Sequence, residues 1–156
     1  MLKRTTINNI VWFIPIKNLR DKARNFLNQK YNINLELDNL ILRITEHCNL
    51  SCYGCNAFSQ LSESKFLDFD IVKKDLKRIN KIIKKKVNVI TIGGGEPLLN
   101  PRCKDYILLA NKYAKNVTIG TNGILLLKQN DDFWKVLRDT NTRLEVTRYP
   151  IKLGRN

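Results

Sequence analysis

Val87-Asn88-Val89-Ile90-Thr91-Ile92 runs straight into Gly93-Gly94-Gly95-Glu96-Pro97. Valine, isoleucine and threonine dominate the first six positions, which is the composition of a β-strand. The three glycines behind it leave a stretch of backbone with no side chains, which another molecule can approach closely. Glu96 follows as a charged acceptor held rigid by Pro97. A plain strand-to-helix turn could also use these glycines, so the segment takes its meaning from what flanks it.

Similar strands lie on both sides. Asn39-Leu40-Ile41-Leu42-Arg43-Ile44 reads as a short buried strand, Asn116-Val117-Thr118-Ile119-Gly120-Thr121 as a third, and Arg143-Leu144-Glu145-Val146-Thr147 as a fourth before Tyr149-Pro150 ends it. Helices fall between them. One starts near Asp68 or Asp70 with Val72, Leu76, Ile79 and Ile83 on one face, a second covers about Arg102 to Ala114, and a third is capped by Asp131 or Asp132 and carries Phe133, Trp134 and Leu137. Alternation at this spacing predicts an α/β protein with a parallel sheet and right-handed crossovers. Ligand sites in such sheets form at the carboxyl ends of the strands. Every unusual loop of this chain falls there: the cysteine loop, the glycine turn, Thr121-Asn122-Gly123 and Thr147-Arg148.

The cysteine loop reads Cys48-Asn49-Leu50-Ser51-Cys52-Tyr53-Gly54-Cys55. Three thiolates within eight residues can converge on one centre, and soft sulfur ligands select zinc or an iron–sulfur cluster. A structural zinc needs four ligands, for which His47 and Cys103 are the candidates. A [4Fe–4S] cluster on three cysteines instead leaves one iron open to a reactant. Spacing favours the cluster and leaves zinc open.

Taken together, Cys48, Cys52 and Cys55 in a Cys-x3-Cys-x2-Cys pattern and Gly94-Gly95-Glu96-Pro97 on the next strand end resemble the radical S-adenosylmethionine (radical SAM) superfamily. The resemblance covers about residues 40–150. It implies a partial (β/α) barrel, a [4Fe–4S] cluster on the three cysteines, and S-adenosylmethionine chelated to the open iron. It further implies that Gly93, Gly94, Gly95 and Glu96 meet the amino group of that cofactor, that Asn122 lies in the family's cofactor-binding third-strand loop, and that Thr147 and Arg148 lie where ribose or carboxylate contacts fall. In the family the residue before the last cysteine is usually aromatic. Here it is Gly54, with Tyr53 one place earlier as the candidate cofactor-binding aromatic, a departure that weakens the implied adenine contact without removing the cluster. The implied reaction is reductive cleavage to a 5′-deoxyadenosyl radical, with an unknown substrate and an electron donor such as flavodoxin or ferredoxin. The family core has six strand–helix units and four are found here. Residues 40–156 are therefore expected to be an incomplete core whose open sheet edge reflects truncation, is completed by a second copy or a partner chain, or is covered by residues 1–39. The alternative is a truncated or non-catalytic iron–sulfur or zinc module that needs a partner.

The whole chain has 156 residues, enough to bury roughly 70% of its unfolded surface in one core. Hydrophobic residues make up 43% and charged residues 27%, which excludes disorder or a disulfide-dense miniprotein. No apolar run reaches the length of about 18 residues needed to cross a membrane. Four cysteines without a secretory leader suit the cytoplasm, where thiols stay reduced. The net charge of +14 invites a polyanion, but Lys, Asn and Ile are all abundant throughout, so the charge follows composition more than a shaped basic stripe. Residues 1–39 are expected to form a basic amphipathic extension. Ile16, Leu19, Ala23, Phe26 and Leu27 lie at helical spacing among Lys17, Arg20, Lys22 and Arg24, just after Trp12 and Phe13. Such a helix either packs on the following domain or rests on an anionic membrane surface through residues 12–27, and weak RNA contact is a further expectation.

Overall fold

The computed structural model describes residues 11–12, 14–30, 36–83 and 85–148. Phe13, Tyr149 and Pro150, assigned above, lie outside the described residues. The chain separates into two compact units, residues 1–36 and 37–156. In the first, helix α1 spans Lys17–Lys30, opened by the Arg20 N–H donating to Ile16 O at 2.9 Å. An Arg24–Asp21 ion pair at 2.9 Å spans one turn, and the Arg20 guanidinium stands 5.8 Å from the Trp12 ring centre. Among the described residues no helix is long and apolar enough to cross a membrane.

The second unit alternates β1 (Asn39–Thr45), α2 (Phe69–Ile83), β2 (Val87–Gly94), α3 (Cys103–Tyr113), β3 (Ala114–Thr121), α4 (Asp131–Asp139) and β4 (Arg143–Val146). The four strands form one parallel sheet in the order β1-β2-β3-β4. Register sets one apolar layer across it, Leu42 beside Ile92 beside Ile119 beside Leu144. On the same face Ile44, Ile90 and Val117 are buried. Helix α3 packs on β2 and β3 through Tyr106, Ile107, Leu109 and Ala110, with α2 and α4 against it. Each large aliphatic side chain buried here contributes about 1.5–3 kcal/mol.

The opposite face departs from the usual rule that both sides of a parallel sheet are apolar. Its central row runs Ile41, Thr91, Thr118, Arg143. A cavity of about 640 Å³ opens on this side, lined by Asn39, Thr91, Asn116, Thr118, Arg143 and Glu145 among others. Helices α2, α3 and α4 of this unit are gathered on the other side.

Local chemistry explains the boundaries. Asp68 caps α2, its Oδ1 accepting from the N–H groups of Asp70 at 2.8 Å and Ile71 at 3.0 Å. The expected cap of α4 moves by one residue: Asn130, not Asp131 or Asp132, accepts from Phe133 N–H at 3.0 Å. The two aspartates instead fill the first turn, where carboxylates complement the helix dipole. Asn141 ends α4 in the left-handed region (φ 49), with Thr142 N–H reaching Leu137 O at 2.9 Å.

The cysteine loop leaves and re-enters the sheet through a closed neck. Thr45 and Phe66 form an antiparallel bridge, Glu46 N–H donates to Lys65 O at 3.0 Å, and Leu67 N–H donates to Ile44 O at 3.1 Å. The Tyr106 hydroxyl donates to Leu67 O and ties this neck to α3.

Candidate functional site

Glu96 sits behind the carboxyl ends of β2 and β3 with 0% exposure. Its Oε1 accepts from Leu98 N–H at 3.0 Å and from the Thr121 hydroxyl at 2.7 Å, and its Oε2 accepts from Asn122 N–H at 2.8 Å. The carboxylate thus caps the short helical turn Pro97–Leu99 and grips the β3 loop. Beside it, buried Asn100 donates from Nδ2 to Ile44 O at 2.8 Å and binds the end of β1.

Asn122 carries the connection into the cysteine loop. Its Nδ2 donates to Asn49 Oδ1 at 2.7 Å and lies 3.7 Å from Cys48 Sγ, while its Oδ1 accepts from Ile124 N–H at 3.0 Å. A chain of hydrogen bonds therefore runs from Glu96 through Asn122 to the first loop cysteine. Cys48, Cys52 and Cys55 are all free thiols, partly exposed. Backbone N–H groups of Ser59, Ala57 and Phe58 hold the Cys55 thiol below its ordinary pKa, the Ser59 N–H most strongly. Donors aimed at two of three unpaired thiols suit sulfur ligands that carry negative charge, as in a thiolate-bound cluster.

The three adjacent glycines have different reasons. A Cβ on Gly94, whose φ is +137, would stand 2.2 Å from Thr45 O, and one on Gly95 would stand 2.0 Å from His47 O. These two let the β1 end and the cysteine loop come against the turn, where Gly95 N–H donates to Thr45 O at 2.8 Å and Glu96 N–H to His47 O at 3.0 Å. Gly93 is different, with nothing within 4 Å of its would-be Cβ. It pairs with Arg43 on the helix-free face, and Gly120, equally open, pairs there with Glu145. The expectation of a ligand-facing edge thus rests on Gly93 and Gly120 in this structure, while Gly94 and Gly95 are needed by the fold itself.

Of the other assigned residues, Tyr53 is fully exposed at the tip of the cysteine loop, and the structure does not bring it to the glycine edge by any contact. Thr147 and Arg148 are exposed just beyond β4, and Thr147 N–H extends the ladder to Thr121 O at 2.9 Å. Cys103 is 4% exposed at the start of α3; burial, aided by the nearby Glu96 carboxylate, pushes its thiol up to about 12. Buried there, it stays protonated at neutral pH. His47 Nε2 lies 3.2 Å from Ser64 Oγ, with its ring 5.3 Å from that of Phe66. Among the described residues no three His, Cys, Asp or Glu side chains are gathered as a single metal ion would require.

Thr121, Asn49, Asn100 and Ser59 were not singled out from the sequence. Thr121 and Asn49 lay inside segments already quoted, and nothing about their spacing reveals a partner about 25 or 73 residues away.

The family model for the radical SAM superfamily matches residues 42–152. A probable GTP 3′,8-cyclase of Methanococcus maripaludis is 36% identical over 89 residues, covering 56% of this chain and 29% of that protein. A tungsten-containing aldehyde ferredoxin oxidoreductase cofactor-modifying protein of Pyrococcus furiosus is 34% identical over 106 residues, 67% of this chain and 28% of that protein. The crystal structure of BtrN in complex with AdoMet and 2-DOIA shares the fold, with a TM-score of 0.58 at 19% identity over 75% of this chain and 48% of that one. The chain thus spans less than a third of the length of these two curated relatives.

Proposed function

Because this chain belongs to the radical SAM superfamily, we propose that Cys48, Cys52 and Cys55 hold a [4Fe–4S] cluster and that the carboxyl ends of β2, β3 and β4 bind S-adenosylmethionine. When bound, the cluster supplies one electron that cleaves S-adenosylmethionine to a 5′-deoxyadenosyl radical, the family's common chemistry.

The observation that carries this reading is the hydrogen-bonded path from Glu96 through Asn122 to Cys48. It fixes the cysteine loop against the glycine turn, so the thiolates and the open Gly93 edge serve one site. Gly93 and Gly120 leave room for the cofactor on the helix-free face. Glu96 keeps the two loops in register, and its two oxygens are already engaged by the chain's own donors. Arg148, planar and exposed beyond β4, suits a carboxylate by its fork of donors. Thr147 stands beside it for the ribose, and Tyr53 would have to swing inward to reach adenine.

The reading places the protein in the cytoplasm, reduced by a one-electron donor such as flavodoxin or ferredoxin. The substrate belongs to the polar face lined by Thr91, Thr118, Arg143 and Glu145.

Anaerobic reconstitution tests the proposal. The chain should take up about four iron atoms, as its ligand set requires, and release 5′-deoxyadenosine with dithionite and S-adenosylmethionine. A Cys52→Ala variant should lose both. Stoichiometric zinc with no iron would defeat the cluster assignment. Iron without nucleoside release would favour the second reading, a cluster-binding module whose active site another chain completes.

A further inference from the structure

Strand β4 stands at the end of the sheet, paired with β3 on one side and with no strand on the other among the described residues. Thr147 N–H donates to Thr121 O at 2.9 Å. Polar backbone groups alternate along a strand, so Arg143, Glu145 and Thr147 turn theirs inward to β3. Leu144 and Val146 turn theirs outward. A row of outward N–H and C=O groups is a template for another strand.

The side chains along this edge carry a pattern of their own. Arg143 and Glu145 stand on the helix-free face with opposite charges, and Leu144 between them belongs to the apolar layer beneath the helices. Within the chain, Arg143 Nη1 and Glu145 Oε1 lie 4.0 Å apart, the outer limit of an ion pair, and both side chains are largely exposed.

Arg143-Leu144-Glu145 is self-complementary when two copies run antiparallel about a two-fold axis at Leu144. The two Leu144 residues then form a hydrogen-bonded pair that exchanges both N–H···O bonds, for which their outward backbone groups are already oriented. Arg143 of each copy falls opposite Glu145 of the other, in the non-hydrogen-bonded pairs where side chains come closest. Centring the axis on Glu145 instead would set two carboxylates against each other. Backbone direction, face and charge therefore agree on one register.

We infer that β4 is the contact through which two copies of this chain join into one continuous sheet, with paired Arg143–Glu145 contacts on either side of Leu144. The same short strand supplies both halves of the match, as a two-fold interface requires. Four residues make a small interface and each copy carries a net charge of +14, so pairing depends on concentration. The second copy's strand also continues the wall of the cavity that Arg143 and Glu145 line. The inference does not depend on the cluster assignment.

Sedimentation velocity on the full chain tests it, with reductant present and about 0.15 M salt to screen the net charge. The wild type should shift from monomer to dimer as its concentration rises. Arg143→Glu and Glu145→Arg should each weaken pairing by about tenfold, because both cross-strand pairs turn repulsive together. An equimolar mixture of the two variants should recover it, since each then meets the opposite charge on its partner. No effect within one chain produces that recovery. The double variant Arg143→Glu/Glu145→Arg should pair like the wild type, and it decides the matter if either single variant fails to fold. A wild type that stays monomeric throughout overturns the inference. So does a dimer indifferent to the single reversals, which would place the contact on another surface.

Discussion

Glu96 and Asn122 are joined across the ends of neighbouring strands: the Asn122 N–H donates to Glu96 Oε2 at 2.8 Å, and Asn122 then reaches the cysteine loop with its side chain. A fully buried carboxylate accepting from two backbone N–H groups and a hydroxyl is a strong structural tie, because hydrogen bonds to a charged acceptor are worth about 1.5–3 kcal/mol each.

Glu96→Gln should therefore destabilise the chain by about 3 kcal/mol, since an amide nitrogen would face a donor in place of one accepting oxygen. Urea unfolding of the two proteins measures it. A difference below about 0.5 kcal/mol would mean that the tie contributes little to the fold.

Gly93→Ala and Gly95→Ala should part company. A methyl on Gly95 would overlap His47 O, so Gly95→Ala should lose iron uptake along with stability. A methyl on Gly93 meets nothing. Gly93→Ala should fold normally and load iron, yet bind S-adenosylmethionine more weakly by at least tenfold, a cost of about 1.4 kcal/mol. Calorimetric titration with the cofactor reads it.

Cys103 should resist iodoacetamide in the native state while the three loop thiols react. Its folded pKa is about 12 against an ordinary value near 9. The sign follows: the folded state holds the proton more tightly, so this contribution to stability is complete below about 9 and declines as the pH climbs toward 12. Mass-mapped alkylation at pH 8, and unfolding of wild type against Cys103→Ala between pH 9 and 12, check both statements.

Asn130→Ala should cost about 1 kcal/mol through loss of the α4 cap, whereas Asp131→Ala should cost a few tenths through the dipole alone. Thermal or urea unfolding of the pair orders them. Equal losses would show that the cap has been misplaced.

The parallel sheet and its alternation with helices were legible because both follow from local pattern. Alternating apolar segments specify the parallel sheet, and the three cysteines stood out as candidate ligands in the loop after the first strand. Long-range pairing was not legible in the same way. Glu96 reads as a charged acceptor from its neighbours, but its partners Thr121 and Asn122 come from the next strand end. Gly93, Gly94 and Gly95 are identical letters, and only the backbone opposite distinguishes them. Asn130 and Asp131 are both good caps by type. Asn130 wins because it holds the extended backbone (φ −81, ψ 169) from which a side chain can reach back to the first turn.

The closed neck at Thr45–Phe66 gives the cysteine loop its own anchor in the sheet. The pairing on either side of it and the Tyr106 tether to Leu67 O use only the chain's own donors and acceptors. Both ends of the loop are therefore held by main-chain and tyrosine contacts, so its anchorage depends on no single cysteine.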